Sequence, residues 1–212
     1  MSIRLSPCAL PPVALIANGF ATQPIQSTVC VAVEAGVRWV HLRDHKACAA
    51  EFNEAAHAWA QQLRTIAPSV QLTVNTRRNV ADRLGTGLHV GWRSPPPETL
   101  SRPPRPLGYS AHHIVEVPAA RRRTVSYLTY SPIFPTQSKP GHPGVGCTAL
   151  RRFVYQSGMP VYALGGITPE RVAACRAAGA AGVAVASGIL QAADPAEAAQ
   201  AYQHAWADAD ES

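Results

Sequence analysis

The chain has 212 residues and a mass of 22.5 kDa, is 47% hydrophobic and 15% charged, and carries a formal charge of +6; that suffices for one domain with a sizeable core and is short for two. No apolar run reaches the roughly 18 residues of a membrane span, and the apolar content is that of a globular protein, so membrane-spanning and disordered chains are excluded. The 19 basic residues are all Arg except Lys46 and Lys139, and their short clusters (Arg77-Arg78, Arg121 to Arg123, Arg151-Arg152) read as solvated faces rather than a nucleic-acid groove.

Taken in chain order, short β-branched or apolar runs alternate with Ala-rich, helix-forming stretches. Strands are predicted at 13–17, 37–42, 70–75, 87–90, 106–110, 125–130, 160–164 and 181–185. The clearest helices are expected at 47–65, at 169–178 with Pro169 in the first turn, and at 194–207 with Asp194 capping Pro195. Eight βα units in 212 residues leave about 26 residues each, which predicts an α/β fold, a single compact (β/α)8 TIM barrel over 1–212. The fourth unit, WRSPPPETLSRPPRP, holds at most one helical turn because of its prolines, and an open doubly wound sheet is the alternative. The five cysteines (Cys8, Cys30, Cys48, Cys147, Cys175) show neither CxxC nor metal spacing and read as reduced thiols. No export signal is evident in the first twenty residues. A cytoplasmic protein is expected.

In a barrel the reacting groups stand at the C-terminal ends of the strands. His41, Arg43 and His45 alternate with period two after strand two, so an extended strand sends them to one side; a capped strand end with a solvated Arg43-Asp44 pair is the other reading. Asn75 ends strand three. His89 shares its face with Gly87 and Gly91, which leaves room for a ligand, or is a core histidine held by hydrogen bonds. His112, at the end of strand five, is placed for proton transfer. The long loop after strand six offers Ser131, Thr136, Ser138, Lys139 and Gly146, and Lys139 suits a phosphate. Gly165-Gly166 after strand seven and Ala186-Ser187-Gly188 after strand eight form either an amide-lined anion site or simply tight βα turns.

These segments resemble the thiamine phosphate synthase/TenI superfamily from about residue 25 to 190. HLRDHK is similar to its QLR(E/D)K motif, VNTRRN to its INDR motif, and GLHVG to GVHLG. YSAHH, SPIFPTQSKPG and VYALGGITPE followed by GAAGVAVASGI match further motifs in order. The resemblance implies a phosphorylated thiazole as ligand, its phosphate at Gly165, Gly166, Ala186 and Ser187. The synthase joins a thiazole phosphate to an aminopyrimidine pyrophosphate and resembles a Mg²⁺ enzyme, but Thr76 and Ser94 stand at its two metal-binding aspartates, and His41 and His45 replace Gln and Lys. The TenI branch implies metal-free tautomerisation of a carboxythiazole phosphate, with Ser131 where that branch has its catalytic His. The expected order is therefore a TenI-like tautomerase without cofactor or metal, then a divergent thiamine phosphate synthase, then a silent binder. The proton carrier is expected to be His112, then His45, then His41, with Arg43, Asn75, His89, Ser131, Thr136, Ser138, Lys139 and Gly146 binding substrate. Partners are the small phosphorylated thiazole and, at most, a second copy of the chain.

Overall fold

The structure is a computed structural model that describes residues 10–209; Cys8 and the first residues scanned for an export signal lie outside them. Eight strands, β1 (Val13–Asn18), β2 (Trp39–Arg43), β3 (Gln71–Asn75), β4 (Gly87–Val90), β5 (Leu107–Ala111), β6 (Tyr127–Tyr130), β7 (Val161–Leu164) and β8 (Gly182–Val185), pair in parallel with their sequence neighbours, and β8 returns to β1 to close the barrel. The open sheet is thereby excluded, and every predicted strand is present with its ends shifted by two residues at most.

Side-chain alternation explains both layers of the core. Leu15 and Ala17, Val40 and Leu42, Leu72 and Val74, and Leu88 and Val90 face outward into one apolar layer with the helices. The other parity points inward, where Ala14, Ile16, Trp39, Tyr127, Tyr162 and Ala184 form a separate cluster. Trp39, Tyr127 and Tyr162 meet edge to face at centroid distances of 4.9 to 5.7 Å and are almost wholly buried. The Tyr162 hydroxyl donates to the Leu10 carbonyl at 3.1 Å, so the N-terminal end of the barrel is filled by aromatic side chains whose polar atoms are paired. Two glycines make room for this layer, a Cβ on Gly108 standing 2.2 Å from Tyr127 Cζ and one on Gly182 2.3 Å from Tyr162 Cε1, while one on Gly87 would stand 2.6 Å from the Pro106 carbonyl just before the neighbouring strand. Gly87 is thus required by barrel packing, which corrects the reading that it leaves room for a ligand.

The outer ring comprises α1 (Gln26–Glu34), α2 (Ala49–Ile66), α3 (Arg78–Leu84), α4 (Ala119–Thr124), α5 (Gly146–Ser157), α6 (Pro169–Ala177), α7 (Ser187–Leu190) and α8 (Pro195–Asp208). A reciprocal cap starts α2: Cys48 Sγ accepts from the Glu51 amide, and the Glu51 carboxylate accepts from the Cys48 amide at 2.8 Å. Asp194 caps α8 through the Ala196 and Glu197 amides, with Pro195 in the first turn as expected. The proline-rich fourth unit holds only a 3₁₀ turn at Pro97–Thr99. Among the described residues no helix is long and apolar enough to cross a membrane, and Cys30, Cys48, Cys147 and Cys175 are free thiols.

Candidate functional site

A cavity of about 300 Å³ opens at the C-terminal ends of the strands, the end where barrels carry their chemistry. It stands on the aromatic layer. Above that layer, His41 Nδ1 lies 2.8 Å from Thr73 Oγ1, which also accepts from Trp39 Nε1 at 3.1 Å. His89 is held at both nitrogens, by the Tyr127 hydroxyl at 2.9 Å and by Ser110 Oγ at 2.8 Å. The two imidazoles stack edge to face with centroids 5.0 Å apart. Burial, reinforced by Arg43, lowers the His89 pKa to about 3; burial followed by the neighbouring His89 and Arg43 holds His41 well below its ordinary value. Both rings are therefore neutral near pH 7. His41 thus stands in the cavity wall as a neutral ring positioned by its hydrogen bond to Thr73.

Arg43 stands one step higher, its Nε donating to His45 Nε2 at 3.0 Å and its NH1 to Asn18 Oδ1 at 3.1 Å. An imidazole nitrogen that accepts from a guanidinium has its lone pair committed there. His45 is not among the residues lining the cavity and buttresses Arg43 through that bond. Lys139 enters from the loop after β6, its pKa lowered by partial burial and then by Arg43.

The adjacent carboxylate is occupied. Asp44 Oδ1 accepts from the Lys46 and Ala47 amides at 2.8 and 3.1 Å, and Oδ2 accepts from the Ala21 amide at 3.2 Å and the Thr22 hydroxyl at 2.8 Å. Burial pushes its pKa up, but these four bonds more than offset that and leave it below the ordinary carboxylate value. Asp44 is ionised because it ties two loops together, not because Arg43 neighbours it.

The loops after β6, β7 and β8 form the rest of the rim. Ile133 and Phe134 amides donate to the Leu164 and Gly165 carbonyls, both at 3.0 Å, which lays the β6 loop along the end of β7. Gly165 (φ 98°) and Gly166 (φ 64°) allow this approach: a Cβ on the first would lie 2.8 Å from Pro132 Cβ, and on the second 2.3 Å from the Pro135 carbonyl. Arg171 fixes the turn from α6, donating to the Gly166 carbonyl at 2.6 Å and lying over Phe134. Ala186 and Ser187 line the same cavity at the start of α7, where the first amides have no carbonyl one turn back.

His112 lines the mouth, and its Nδ1 donates to the Ser131 carbonyl at 3.0 Å, which leaves Nε2 as the other ring nitrogen. Asn75, Ser131, Thr136 and Ser138 also line the cavity. Gly146 does not: at φ 77° it begins α5, its amide donating to the Ile133 carbonyl at 2.9 Å, so its role is to turn the chain. Sequence reasoning missed Trp39, Thr73, Tyr127 and Asn18. The signal was available, because Trp39 and Thr73 share the inward parity of His41 and Asn75.

A magnesium site of the kind the resemblance implies does not fit these residues. Mg²⁺ is ordinarily bound through one or two carboxylates, and none lines this cavity. Thr76 is exposed, Ser94 lies in the β4 loop, and neither lines the cavity. No group of three or more His, Cys, Asp or Glu side chains among the described residues could hold a metal.

Comparison with known proteins supplies the lineage. The chain is 39% identical over 125 residues, 58% of its length and 61% of the relative's, to the thiamine-phosphate synthase of Caldivirga maquilingensis. It is 30% identical over 191 residues, 88% of each chain, to thiamine-phosphate synthase 1 of Aquifex aeolicus, and 34% over 178 residues, 82% of this chain and 77% of the relative, to that of Roseiflexus castenholzii. Among solved structures, thiamine phosphate pyrophosphorylase from Pyrococcus furiosus superposes with a TM-score of 0.81 at 24% identity over 93% of this chain and 96% of that one, a likeness of fold. These relatives bear the synthase's name, against the expected preference for the tautomerase branch. With the sequence model of thiamine monophosphate synthase, TMP-TENI, matching residues 13–189 of this cavity-bearing barrel, the chain belongs to that family.

Proposed function

We propose that the chain is a divergent thiamine phosphate synthase, a transferase that joins a thiazole phosphate to an aminopyrimidine diphosphate with loss of diphosphate. What supports this reading is that one cavity is lined both by cations and by glycine-containing turns suited to anions. Arg43 and Lys139 present cations from the β2 and β6 loops, while Gly165, Gly166, Ala186 and Ser187 present backbone amides from the β7 and β8 loops. A reaction between two phosphorylated partners fills both with phosphates, whereas a carboxythiazole phosphate would bring only a carboxylate to the cationic side. In this reading the amide side holds the thiazole monophosphate, the cationic side holds the diphosphate, and the rings meet over His41, Asn75 and His89. Ser131, Thr136 and Ser138 supply hydroxyls to the bound pair.

Metal-free tautomerisation of a carboxythiazole phosphate is the second reading, favoured by the Nε2 of His112 at the mouth. Purified protein given thiazole phosphate and aminopyrimidine diphosphate should form thiamine phosphate. Isomerisation of carboxythiazole phosphate alone, without condensation, would replace the first reading by the second. Tight thiazole phosphate binding with neither reaction would identify a silent binder.

A further inference from the structure

We propose that the mouth of this barrel grips a diphosphate directly on Arg43 and Lys139, without a divalent cation between protein and ligand. The proposal deepens the functional reading above and rests on its assignment of the cationic side to a diphosphate.

Three observations point the same way. The cavity wall contains Arg43 and Lys139 but no carboxylate, so the whole formal charge of its lining side chains is positive. Neither cation is neutralised from within the chain. Among the described residues the salt bridges are Arg78–Asp82 and Arg121–Glu98, and Arg43 spends its donors on the neutral acceptors Asn18 and His45. Asp44, next to Arg43 in the chain, already accepts four hydrogen bonds, and turning it toward a metal would strip the Ala21, Lys46 and Ala47 amides of their partner. Two cations lining one cavity, the Lys139 ammonium already feeling Arg43, repel each other until an anion arrives. A doubly phosphorylated ligand brings several negative oxygens and spans both, with Arg43 able to engage two oxygens and Lys139 acting as a point charge. A Mg²⁺ ion would enter this field against two like charges with no carboxylate to receive it.

Calorimetric titration of the intact protein with inorganic pyrophosphate tests this, once in EDTA and once in excess Mg²⁺. Binding in EDTA should be as tight as, or tighter than, binding in Mg²⁺, where the ion competes with the protein for the ligand. Arg43→Gln and Lys139→Gln should each weaken binding at least tenfold, about 1.4 kcal/mol, whereas Lys46→Gln, outside the cavity, should not. The two cavity variants back each other should one fail to fold. Absence of binding in EDTA, affinity at least tenfold higher with Mg²⁺, or equal losses in all three variants would overturn the proposal. Because the readout is pyrophosphate binding, a protein that binds it metal-free yet forms no thiamine phosphate sinks the transferase reading alone. One that condenses its substrates but binds pyrophosphate only with Mg²⁺ sinks this proposal alone.

Discussion

Acidification from pH 7 to 5 should destabilise the fold through His89. In the folded protein this imidazole is buried between Tyr127 and Ser110 with its pKa lowered to about 3, so it stays neutral over the whole interval. In the unfolded chain it titrates near its ordinary value of about 6.5. Protons therefore bind the unfolded state preferentially as the pH falls, and the stability present above pH 6.5 is lost progressively toward the folded pKa. The difference in proton uptake by one such group between pH 7 and pH 5 is worth about 2 kcal/mol. His41, also held neutral by burial, adds a loss of the same sign. The assay is urea unfolding at several pH values, on wild type and on His89→Gln, whose polar amide does not titrate. The wild type should lose about 2 kcal/mol more than the variant between pH 7 and 5, the histidines that do not touch His89 cancelling in the comparison. Parallel pH profiles for the two proteins would refute the reasoning and mean that His89 is protonated in the fold.

Thr76 holds a left-handed backbone conformation, φ 57°, at the exposed end of β3, which a β-branched residue tolerates poorly. Thr76→Asn should stabilise the protein by about 1 kcal/mol and raise Tm by roughly 2–4 °C in a thermal scan; a lower Tm would contradict the backbone assignment. Gly108→Ala would drive a methyl into Tyr127 and His89 and should cost at least about 3 kcal/mol in denaturant unfolding; a near-neutral effect would place the aromatic layer elsewhere. Asp44→Ala should cost roughly 2–3 kcal/mol by orphaning amides that the carboxylate now bonds, measured by the same unfolding curves. A loss under 0.5 kcal/mol would show that the two loops do not depend on it.

The barrel was legible because each strand is punctuated by turn residues and because parallel closure follows from eight repeated units. The helix at 195–208 was marked by its cap, Asp194, whereas α1, α3 and α5 lack a side-chain cap bond and gave no comparable signal. Period two brought His41 and Arg43 to one wall. What the sequence could not reveal was the state of those groups. The neutral condition of His41 and His89 depends on burial and on Thr73, Tyr127 and Ser110, which arrive from other strands. The commitment of His45 to Arg43 depends on a loop geometry that alternation does not encode, and the saturation of Asp44 on amides from two separate loops. The glycine turn after β7 was found by composition, but its need for glycine comes from the packing of Pro132 and Pro135 against it.

The aromatic layer at the base of the barrel also governs traffic. With Trp39, Tyr127 and Tyr162 filling the lower end, the cavity is a cup with one door. On the functional reading proposed above, the ring that settles deepest would enter before its partner and leave after it, and a diphosphate at the rim would stand in the doorway. The fold would then impose an order of release: the rim clears before the product below departs.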